Sequence, residues 1–368
     1  MIQTAHPYFR NKAEILTAIG KILESGRLMN GENTLTFENE FAHYCNSRHA
    51  ISVNSCTSAL EIALRFFNIE GHEVIIPANT FIATGNAVLF AGGKPVLADI
   101  KDGTYNIGIE EIRKKTSAKT KGVIVVHIAG VVCEDIKEIR DFCRKKKLFL
   151  VEDCAHATGA TLNGQKAGTF GDAGCFSFYP TKIMTTGTGG MIITNSEPLD
   201  TFARSVRVHG SSPKGTSEII NMGNDWFLDE IRSALGLYQL RDLDGLLARR
   251  KKIAREYAEK ISSIPQITVL PLPFGSVPVY YKYPVQLSPV IDASDFKKKY
   301  FENTGIELES LYWPPCHLQP LYQQMFHFRK GNFPVTEKIL MQQICLPIHA
   351  LVTSDDISVV IQGLEALL

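Results

Sequence analysis

Several side chains that could do chemistry lie between Val151 and Asn195. Asp153 ends the apolar run LFLVED, Ser177 lies inside the run CFSFY, and Lys182 follows five residues later. The turn TTGTGG comes next, and glycine-rich turns let a chain pass close to a ligand. A buried carboxylate, a hydroxyl and a single lysine at such a turn indicate a pyridoxal 5'-phosphate (PLP) site. The lysine would form the Schiff base, and the acid would keep the pyridine nitrogen protonated.

Each of these residues also has an ordinary structural explanation. A lysine in a loop is commonly solvated, and an aspartate at the end of a strand commonly caps a helix. The interpretation therefore depends on whether other polar side chains gather at the same place.

Apolar runs of strand length alternate with helical patterns through the first two thirds of the chain. Seven of the runs are continuously apolar, as strands are when helices cover both faces of a largely parallel sheet. The connections between them are long enough for right-handed crossovers. The sequence therefore predicts an α/β fold with a seven-stranded, mostly parallel sheet. Its strands cover residues 50–55, 73–78, 94–100, 122–128, 148–153, 175–179 and 189–195.

The pattern of residues changes after this alternation of strands and helices. We expect residues 1–245 to form a large PLP-binding α/β domain and residues 246–368 to form a smaller α+β domain. A long amphipathic helical stretch over 229–261 joins them, with a bend near Asp242. The smaller domain would contain a strand over 278–286, a helix over 292–303 and a terminal helix from Asp355.

Charge and composition exclude several function classes. The chain has 39 Lys and Arg against 38 Asp and Glu, so no overall field favours nucleic acid or an anionic membrane. Its start shows no signal peptide, and its most apolar stretch, GVIVVHIAGVV, is too short to span a bilayer. The eight cysteines lack metal-ligand spacing. We expect a cytoplasmic protein with reduced cysteines and no metal, nucleic-acid or membrane partner.

Further candidate side chains follow the other predicted strands, where open α/β sheets bind ligands. Thr57 and Ser58 open a helix whose free N–H groups suit a phosphate, although an ordinary helix cap explains them equally well. Phe81 follows the second strand and could lie flat on a cofactor ring, or belong to the core. His127 ends the fourth strand. His156 lies one turn beyond the aspartate, where it could hold a ring substituent or serve a structural role.

Several long motifs carry a family resemblance, among them FENEFAHYCNSRHAISVNSCTSALEIAL, PANTFIATGNAVLFAGGKPVLADI, VEDCAHATGA and GCFSFYPTKIMTTGTGGMIITN. With RVHG, DEIRSALGLYQL and LPIHALVTSDDI, the chain resembles the DegT/DnrJ/EryC1/StrS family of PLP-dependent sugar aminotransferases, of fold type I. The resemblance runs nearly end to end. It implies a homodimer with shared active sites and amino transfer, usually from glutamate, to a nucleotide-linked keto sugar, with pyridoxamine phosphate as the intermediate.

The resemblance also implies a role for each candidate residue. Lys182 would carry the cofactor, and Asp153 would pair with the pyridine nitrogen. The other contacts would be phosphate binding by Thr57, Ser58 and Ser177, stacking by Phe81, and a cofactor contact from His156, where the family most often has glutamine.

One segment departs from the family pattern. GNDWFLDE corresponds to G-x-N-[YW]-R-[ML], in which the Asn reaches the phosphate of the neighbouring subunit and the Arg lies close to it. Here those positions are Asp225 and Phe227, although Asn224 could take over after a shift of one residue. An aspartate near a phosphate is electrostatically unfavourable, and the missing arginine removes a positive charge that an anionic substrate would meet.

Other functions stay open at this point. One is a same-fold enzyme that acts on a cyclitol or dehydrates a sugar, but the dehydratases of one branch have His where this chain has Lys182. Another is a regulatory protein that keeps PLP without turnover, which Asp225 and Phe227 favour and the intact Asp153, Ser177 and Lys182 oppose. A nucleotide-binding oxidoreductase is disfavoured because TGTGG precedes its strand.

Overall fold

The computed structural model describes residues 2–212 and 215–368. The strands of this part of the chain are β1 (His49–Val53), β2 (Glu73–Pro77), β3 (Lys94–Ala98), β4 (Thr120–Val126), β5 (Phe149–Asp153), β6 (Thr161–Leu162), β7 (Gln165–Lys166), β8 (Ala173–Ser177), β9 (Gly190–Thr194), β10 (Ile267–Thr268), β11 (Ser276–Val277), β12 (Tyr283–Leu287) and β13 (Gln343–Leu346).

The helices follow the same order along the chain. They are α1 (Lys12–Ser25), α2 (Glu32–Cys45), α3 (Cys56–Phe66), α4 (Ile82–Phe90), α5 (Ile109–Lys115), α6 (Ile136–Lys146), α7 (Glu197–Val206), α8 (Glu230–Arg241), α9 (Leu243–Ile261), α10 (Ala293–Thr304), α11 (Pro320–Phe326), α12 (Pro334–Met341) and α13 (Ser354–Glu365). Short 3₁₀ turns cover Ile128–Gly130 and Cys316–Leu318.

The central sheet has seven strands in the order β1-β9-β8-β5-β4-β2-β3. Strand β9 is antiparallel to both of its neighbours, and the other pairs are parallel. These strands are the seven continuous apolar runs, so the predicted mostly parallel sheet is confirmed. Within the described part of the chain, strand β1 pairs with β9 alone, and Ala50 lies opposite Ile193 in that ladder.

Helix α2 takes its N-terminal cap from a distant part of the chain. Gly31 precedes the helix and has no side chain to cap it. Instead, the carboxylate of Glu230 accepts the N–H groups of Gly31 at 2.8 Å, Asn33 at 3.0 Å and Thr34 at 2.9 Å. A carboxylate there satisfies orphan donors and suits the positive end of the helix dipole. The start of α8 is thereby fastened to the start of α2.

The predicted bend in the helical stretch 229–261 is present as a break between two helices. Helix α8 ends at Arg241, and α9 begins at Leu243. The side chain of Asp229 caps α8 by accepting the N–H of Arg232 at 2.8 Å. The predicted boundary between 1–245 and 246–368 falls inside α9, and this division of the chain stays a prediction.

A second, three-stranded sheet of order β10-β12-β13 packs against α9, α10 and α13 around Tyr257, Tyr300 and Val285. The prediction of a strand over 278–286 is wrong at its start, because β12 begins only at Tyr283. Tyr280 adopts a left-handed backbone conformation with φ 52°, which a strand cannot contain. Residues 278–282 instead run back to the large sheet, where Val279 donates to the carbonyl of Gly130 at 3.0 Å.

All eight cysteines are buried and unpaired. In the described ranges, no helix has both the length and the apolar character that a membrane crossing needs.

Candidate active site

A cavity of about 1160 Å³ lies at the carboxyl ends of the strands of the central sheet. Most of the predicted site residues share its wall, although they come from separate elements. Those that line it are Thr57, Ser58, Phe81, Asp153, His156, Ser177 and Lys182.

Asp153, the last residue of β5, is held from two sides. Its Oδ2 accepts the hydroxyl of Thr84 at 2.8 Å, and its Oδ1 accepts the N–H of Ala155 at 3.0 Å. Burial raises the pKa of Asp153 despite these hydrogen bonds and the charge of Lys182, which lower it. Its side chain is therefore oriented but incompletely compensated, so it favours a partner that brings a proton or a positive charge.

The start of α3 forms a tight hydroxyl cluster next to the cavity. Ser55 caps the helix by accepting the N–H of Ser58 at 3.0 Å, and the Ser58 hydroxyl donates to Asn54 Oδ1 at 2.6 Å. Gly190 on β9 lets this turn come close, because a Cβ there would lie 2.5 Å from the Ser55 backbone. The first-turn N–H groups suit an anion, while the Ser58 proton is directed to Asn54.

Ser177 and Phe81 occupy the positions at the cavity that the sequence predicts. Ser177 ends β8, and its hydroxyl oxygen accepts the N–H of Tyr179 at 3.4 Å. Phe81 directly precedes α4, and 58% of it is exposed at the cavity wall. Phe81 thus does not belong to the core, and its ring lies at the cavity wall, 5.9 Å from the ring of Tyr312.

Lys182 lies in the turn after β8 and is half-buried. Its backbone N–H donates to the carbonyl of Tyr179 at 2.9 Å, which closes the turn. Its Nζ lies 4.4 Å from the centroid of the Tyr281 ring. The ammonium group of Lys182 therefore faces an aromatic surface that comes from the second half of the chain.

His156 is buried among aromatic rings. Its Nδ1 accepts the N–H of Ala129 at 3.3 Å, so the proton of the neutral ring is on Nε2, 2.7 Å from the hydroxyl of Tyr312. Burial lowers the pKa of His156 far below its usual range, and the charges of Lys182 and Lys282 lower it further. His156 is therefore a neutral group whose ring stacks on Tyr281 at 4.1 Å.

His127 has a structural role instead. It lies outside the cavity wall, with Nε2 2.8 Å from Glu152 and Nδ1 accepting the N–H of Cys133 at 3.1 Å. Together with Cys154, His127 and Glu152 form a cluster of metal-ligand type among the described residues. Since both ring nitrogens and the carboxylate are already engaged within the protein, this cluster stabilises the fold. The prediction that the protein binds no metal stays a prediction.

Asn224 and Asp225 are exposed and do not line the cavity of their own chain. The side chain of Asn224 accepts the N–H of Asp225 at 2.8 Å, and the Asp225 carbonyl accepts from the Asn54 side chain at 3.1 Å. The segment is thus attached to the turn before α3. The predicted contact of these residues with the cofactor of a neighbouring subunit stays a prediction.

The sequence interpretation missed the wall that residues after 280 contribute. Tyr281, Lys282 and Tyr312 all line the cavity opposite the sheet. Lys282 forms an ion pair with Glu309, whose carboxylate also accepts the hydroxyl of Thr4 at 2.8 Å. The only local signal for this wall is the aromatic and polar character of VYYKYP and LYWPP.

Comparison with known proteins agrees with this geometry. Residues 10–365 match the model of the DegT/DnrJ/EryC1/StrS aminotransferase family. The chain belongs to this family. It is 34% identical to the GDP-perosamine synthase of Caulobacter vibrioides, over 92% of this chain and 91% of that protein. It is 32% identical to the spore coat polysaccharide biosynthesis protein SpsC of Bacillus subtilis, over 96% and 94%.

Solved structures of the family share the whole fold. The aminotransferase TlmJ from Streptoalloteichus hindustanus superposes with a TM-score of 0.92 at 29% identity, covering 100% of this chain and 98% of that one. Helicobacter pylori PseC, an aminotransferase involved in the biosynthesis of pseudoaminic acid, gives 0.92 at 28% identity, covering 100% and 99%. The fold is that of fold type I PLP-dependent enzymes, and the chain is an aminotransferase of this class.

Proposed function

We propose that the protein transfers an amino group from glutamate to a keto group of a nucleotide-linked deoxysugar, with PLP as cofactor. The observation that carries this proposal is that Asp153 and Lys182 line the same cavity. A buried carboxylate with a raised pKa and a lysine amine are what the pyridine nitrogen and the aldehyde of PLP require.

The residues present fit PLP. When bound, PLP supplies an electron-withdrawing ring that stabilises negative charge on the carbon next to the amine. The N-terminus of α3 and the hydroxyls of Thr57 and Ser177 would hold its phosphate. Asp153 would hold the proton of its ring nitrogen, and Phe81 would cover one face of its ring.

Lys182 and His156 would handle protons and orientation. Lys182 Nζ would take up and return the proton of the substrate carbon that bears the amino group, in each half of the reaction. His156 is neutral and both of its ring nitrogens are engaged, by Ala129 and Tyr312, so it would pack against the cofactor without adding charge. The wall formed by Tyr281 and Tyr312 would keep water away from the reacting carbon.

The substrate class is supported by the relatives and by the cavity. Relatives are named GDP-perosamine synthase, and UDP-N-acetyl-3-dehydro-alpha-D-glucosamine 3-aminotranferase in Acidithiobacillus ferrooxidans. The volume of about 1160 Å³ exceeds what one drug-sized ligand needs, so the cavity has room for cofactor and sugar together. Arg232 and Lys297 add positive charge to its wall. We propose a homodimer with shared active sites, in the cytoplasm.

A second candidate function is regulation without turnover. The chain is 32% identical to the pleiotropic regulatory protein of Geobacillus stearothermophilus, over 94% of this chain and 92% of that protein. The replacement of the family's Asn and Arg by Asp225 and Phe227 favours the same alternative.

The test is turnover with a panel of substrates. Purified protein, PLP and glutamate are incubated with nucleotide-linked keto sugars and with keto cyclitols, and 2-oxoglutarate is measured. Release with a nucleotide-linked sugar alone supports the proposal, and release with a cyclitol alone contradicts the substrate class. A protein that binds PLP but releases no 2-oxoglutarate with any acceptor supports the regulatory alternative.

The attachment point of the cofactor is tested separately. Borohydride reduction should fix PLP on Lys182, and Lys182→Ala should abolish both the adduct and turnover. Lys282→Ala is the matched control, because Lys282 lines the same cavity. Peptide mapping that places the adduct on Lys282, or on no lysine, would contradict the assignment.

A further inference from the structure

Tyr281 lies between Lys182 and His156 and has no role in the proposed function beyond forming the wall. One contact is the Lys182 Nζ, 4.4 Å from its ring centroid, and another is the His156 ring at 4.1 Å with an interplanar angle of 29°. Its hydroxyl lies 3.1 Å from Thr181 Oγ1. The ring is 8% exposed, so its position is set by these neighbours.

The backbone of Tyr281 is held by a buried guanidinium. Arg250 on α9 donates to the carbonyls of Tyr280 at 2.8 Å, Tyr281 at 3.4 Å and Ile348 at 2.9 Å. Burial lowers the pKa of Arg250 to about 10, which is still well above neutral pH. Arg250 therefore stays charged and fixes the turn that presents the ring of Tyr281 to the large sheet.

The face of an aromatic ring distinguishes an ammonium group from a neutral amine. The ring quadrupole attracts a positive charge above its face, and this attraction grows when the charge is partly desolvated. Among the salt bridges of the described residues, none involves Lys182. Lys182 thus meets Tyr281 through the ring face at 4.4 Å and through a hydrogen bond to the phenol, and Asp153 attracts its charge from further away.

We propose that Tyr281 is a positioning residue for Lys182. Its ring holds the lysine as an ammonium whenever the lysine is not bound to cofactor, and the amine leaves this position once it has given its proton to solvent. Any role of this release of Lys182 in amino transfer rests on the proposed function, whereas the contact between Tyr281 and Lys182 is independent of it.

The other titratable groups near Tyr281 are consistent with this role. Lys282 Nζ lies 5.6 Å from the same ring centroid and is paired with Glu309, His156 is neutral, and Asp153 lies across the cavity. Although burial raises the pKa of the Tyr281 phenol, the charges of Lys182 and Lys282 and the hydrogen bonds with Thr181 and Lys182 lower it below its ordinary value. The positive charges therefore act on this ring at short range.

The test is the reactivity of Lys182 in the full-length protein after removal of PLP and in the absence of substrate. Trace acylation with acetic anhydride at pH 7, followed by peptide mass spectrometry, reports how much of Lys182 is neutral. Tyr281→Leu is expected to speed labelling of Lys182 about fivefold, since the cation–π attraction is lost. Tyr281→Phe keeps the ring and loses only the hydrogen bond of the phenol to Lys182, so it should speed labelling less than Tyr281→Leu does. Tyr281→Met replaces the leucine variant if that variant does not fold.

Two controls separate charge from access. At about pH 11, where lysines are mostly neutral, the leucine variant and the wild type should label equally, whereas a merely opened cavity would keep the variant faster. Tyr44→Leu removes a similar ring, 3.2 Å from Lys166 Nζ, and should leave Lys182 unchanged.

The proposal is overturned if Lys182 labelling is unchanged in Tyr281→Leu, if it stays faster at high pH, or if Tyr281→Phe speeds it equally. None of these results depends on turnover. A wild-type protein that takes up no PLP would end the proposed function and leave the labelling result standing.

Discussion

Glu152 and Asp153 are neighbouring carboxylates at the end of β5, and their hydrogen-bond partners differ. Successive strand residues face opposite sides of a sheet, so the two side chains enter different surroundings. Glu152 accepts the N–H groups of Gly168 at 2.8 Å, Phe170 at 2.6 Å and Gly171 at 2.7 Å, in addition to its contact with His127. Asp153 accepts one backbone N–H, one hydroxyl and, at 3.9 Å, the weak thiol donor of Cys56, and otherwise faces the cavity.

The two acids differ in how completely the fold satisfies them. Both are almost fully buried, at 0% and 5% exposure, so burial alone does not distinguish them. The hydrogen-bond donors that reach each carboxylate do distinguish them. Glu152 has its lone pairs satisfied by the fold, whereas Asp153 has weaker or fewer donors and retains a raised pKa.

The largest effect that tests the comparison is expected for Asp153→Asn. The amide cannot hold a proton on the pyridine nitrogen, so turnover should fall by two to four powers of ten, about 3–5 kcal/mol of transition-state stabilisation. Circular dichroism should show a normal fold, and PLP should still attach to Lys182. A kcat near that of the wild type would make Asp153 a structural cap like its neighbour.

The same acid predicts a pH effect on stability without cofactor. Because the folded pKa is raised, the folded protein binds the Asp153 proton more tightly than the unfolded chain does. This contribution stabilises at low pH and is lost as pH rises from the ordinary carboxyl range through the folded pKa. Asp153→Asn should therefore show a smaller fall of the urea midpoint over that window, and an identical pH profile would contradict the shift.

Glu152→Gln should lower the stability of the fold and leave PLP binding intact, whereas Asp153→Asn should lower turnover and leave the fold intact. The glutamine amide would place a donor against backbone N–H groups that now share a carboxylate, so the free energy of unfolding should fall by about 2–4 kcal/mol. Urea denaturation measures this, and PLP binding by the folded fraction should be preserved. Comparable stability of this variant and the wild type would show that the donor count does not distinguish the two acids.

The smallest effect concerns a third acid, Asp225, which is exposed. If it reaches the phosphate of a neighbouring subunit, Asp225→Asn should tighten PLP binding about threefold to tenfold, since solvent screens most of the repulsion. The matched variant is Asn224→Ala, which should loosen PLP only if Asn224 has taken over the contact. Titration of PLP into the apo forms of both variants distinguishes these outcomes. If neither variant changes the affinity for PLP, this segment is not part of the cofactor site.

The sequence predicts the sheet and its functional edge because both depend on local patterns. Continuous apolar runs mark the strands, and Asp153, Ser177 and Lys182 stand next to them in the chain. Tyr281 and Tyr312 were missed because only packing of the second half of the chain against the first brings them to the cavity. The start of β12 was misplaced because Tyr280 is one of the few non-glycine residues with positive φ.

Because Glu230 caps α2 from a distant part of the chain, the cap is synthesised long after the helix. The cap lies 199 residues beyond Gly31, and the partner strand of β1, β9, begins only at Gly190. Ribosomes add roughly 5–20 residues per second, so these early segments wait on the order of ten seconds or more. During that time the nascent chain carries an apolar strand with an open edge and a helix with unsatisfied N–H groups, the state that chaperones bind.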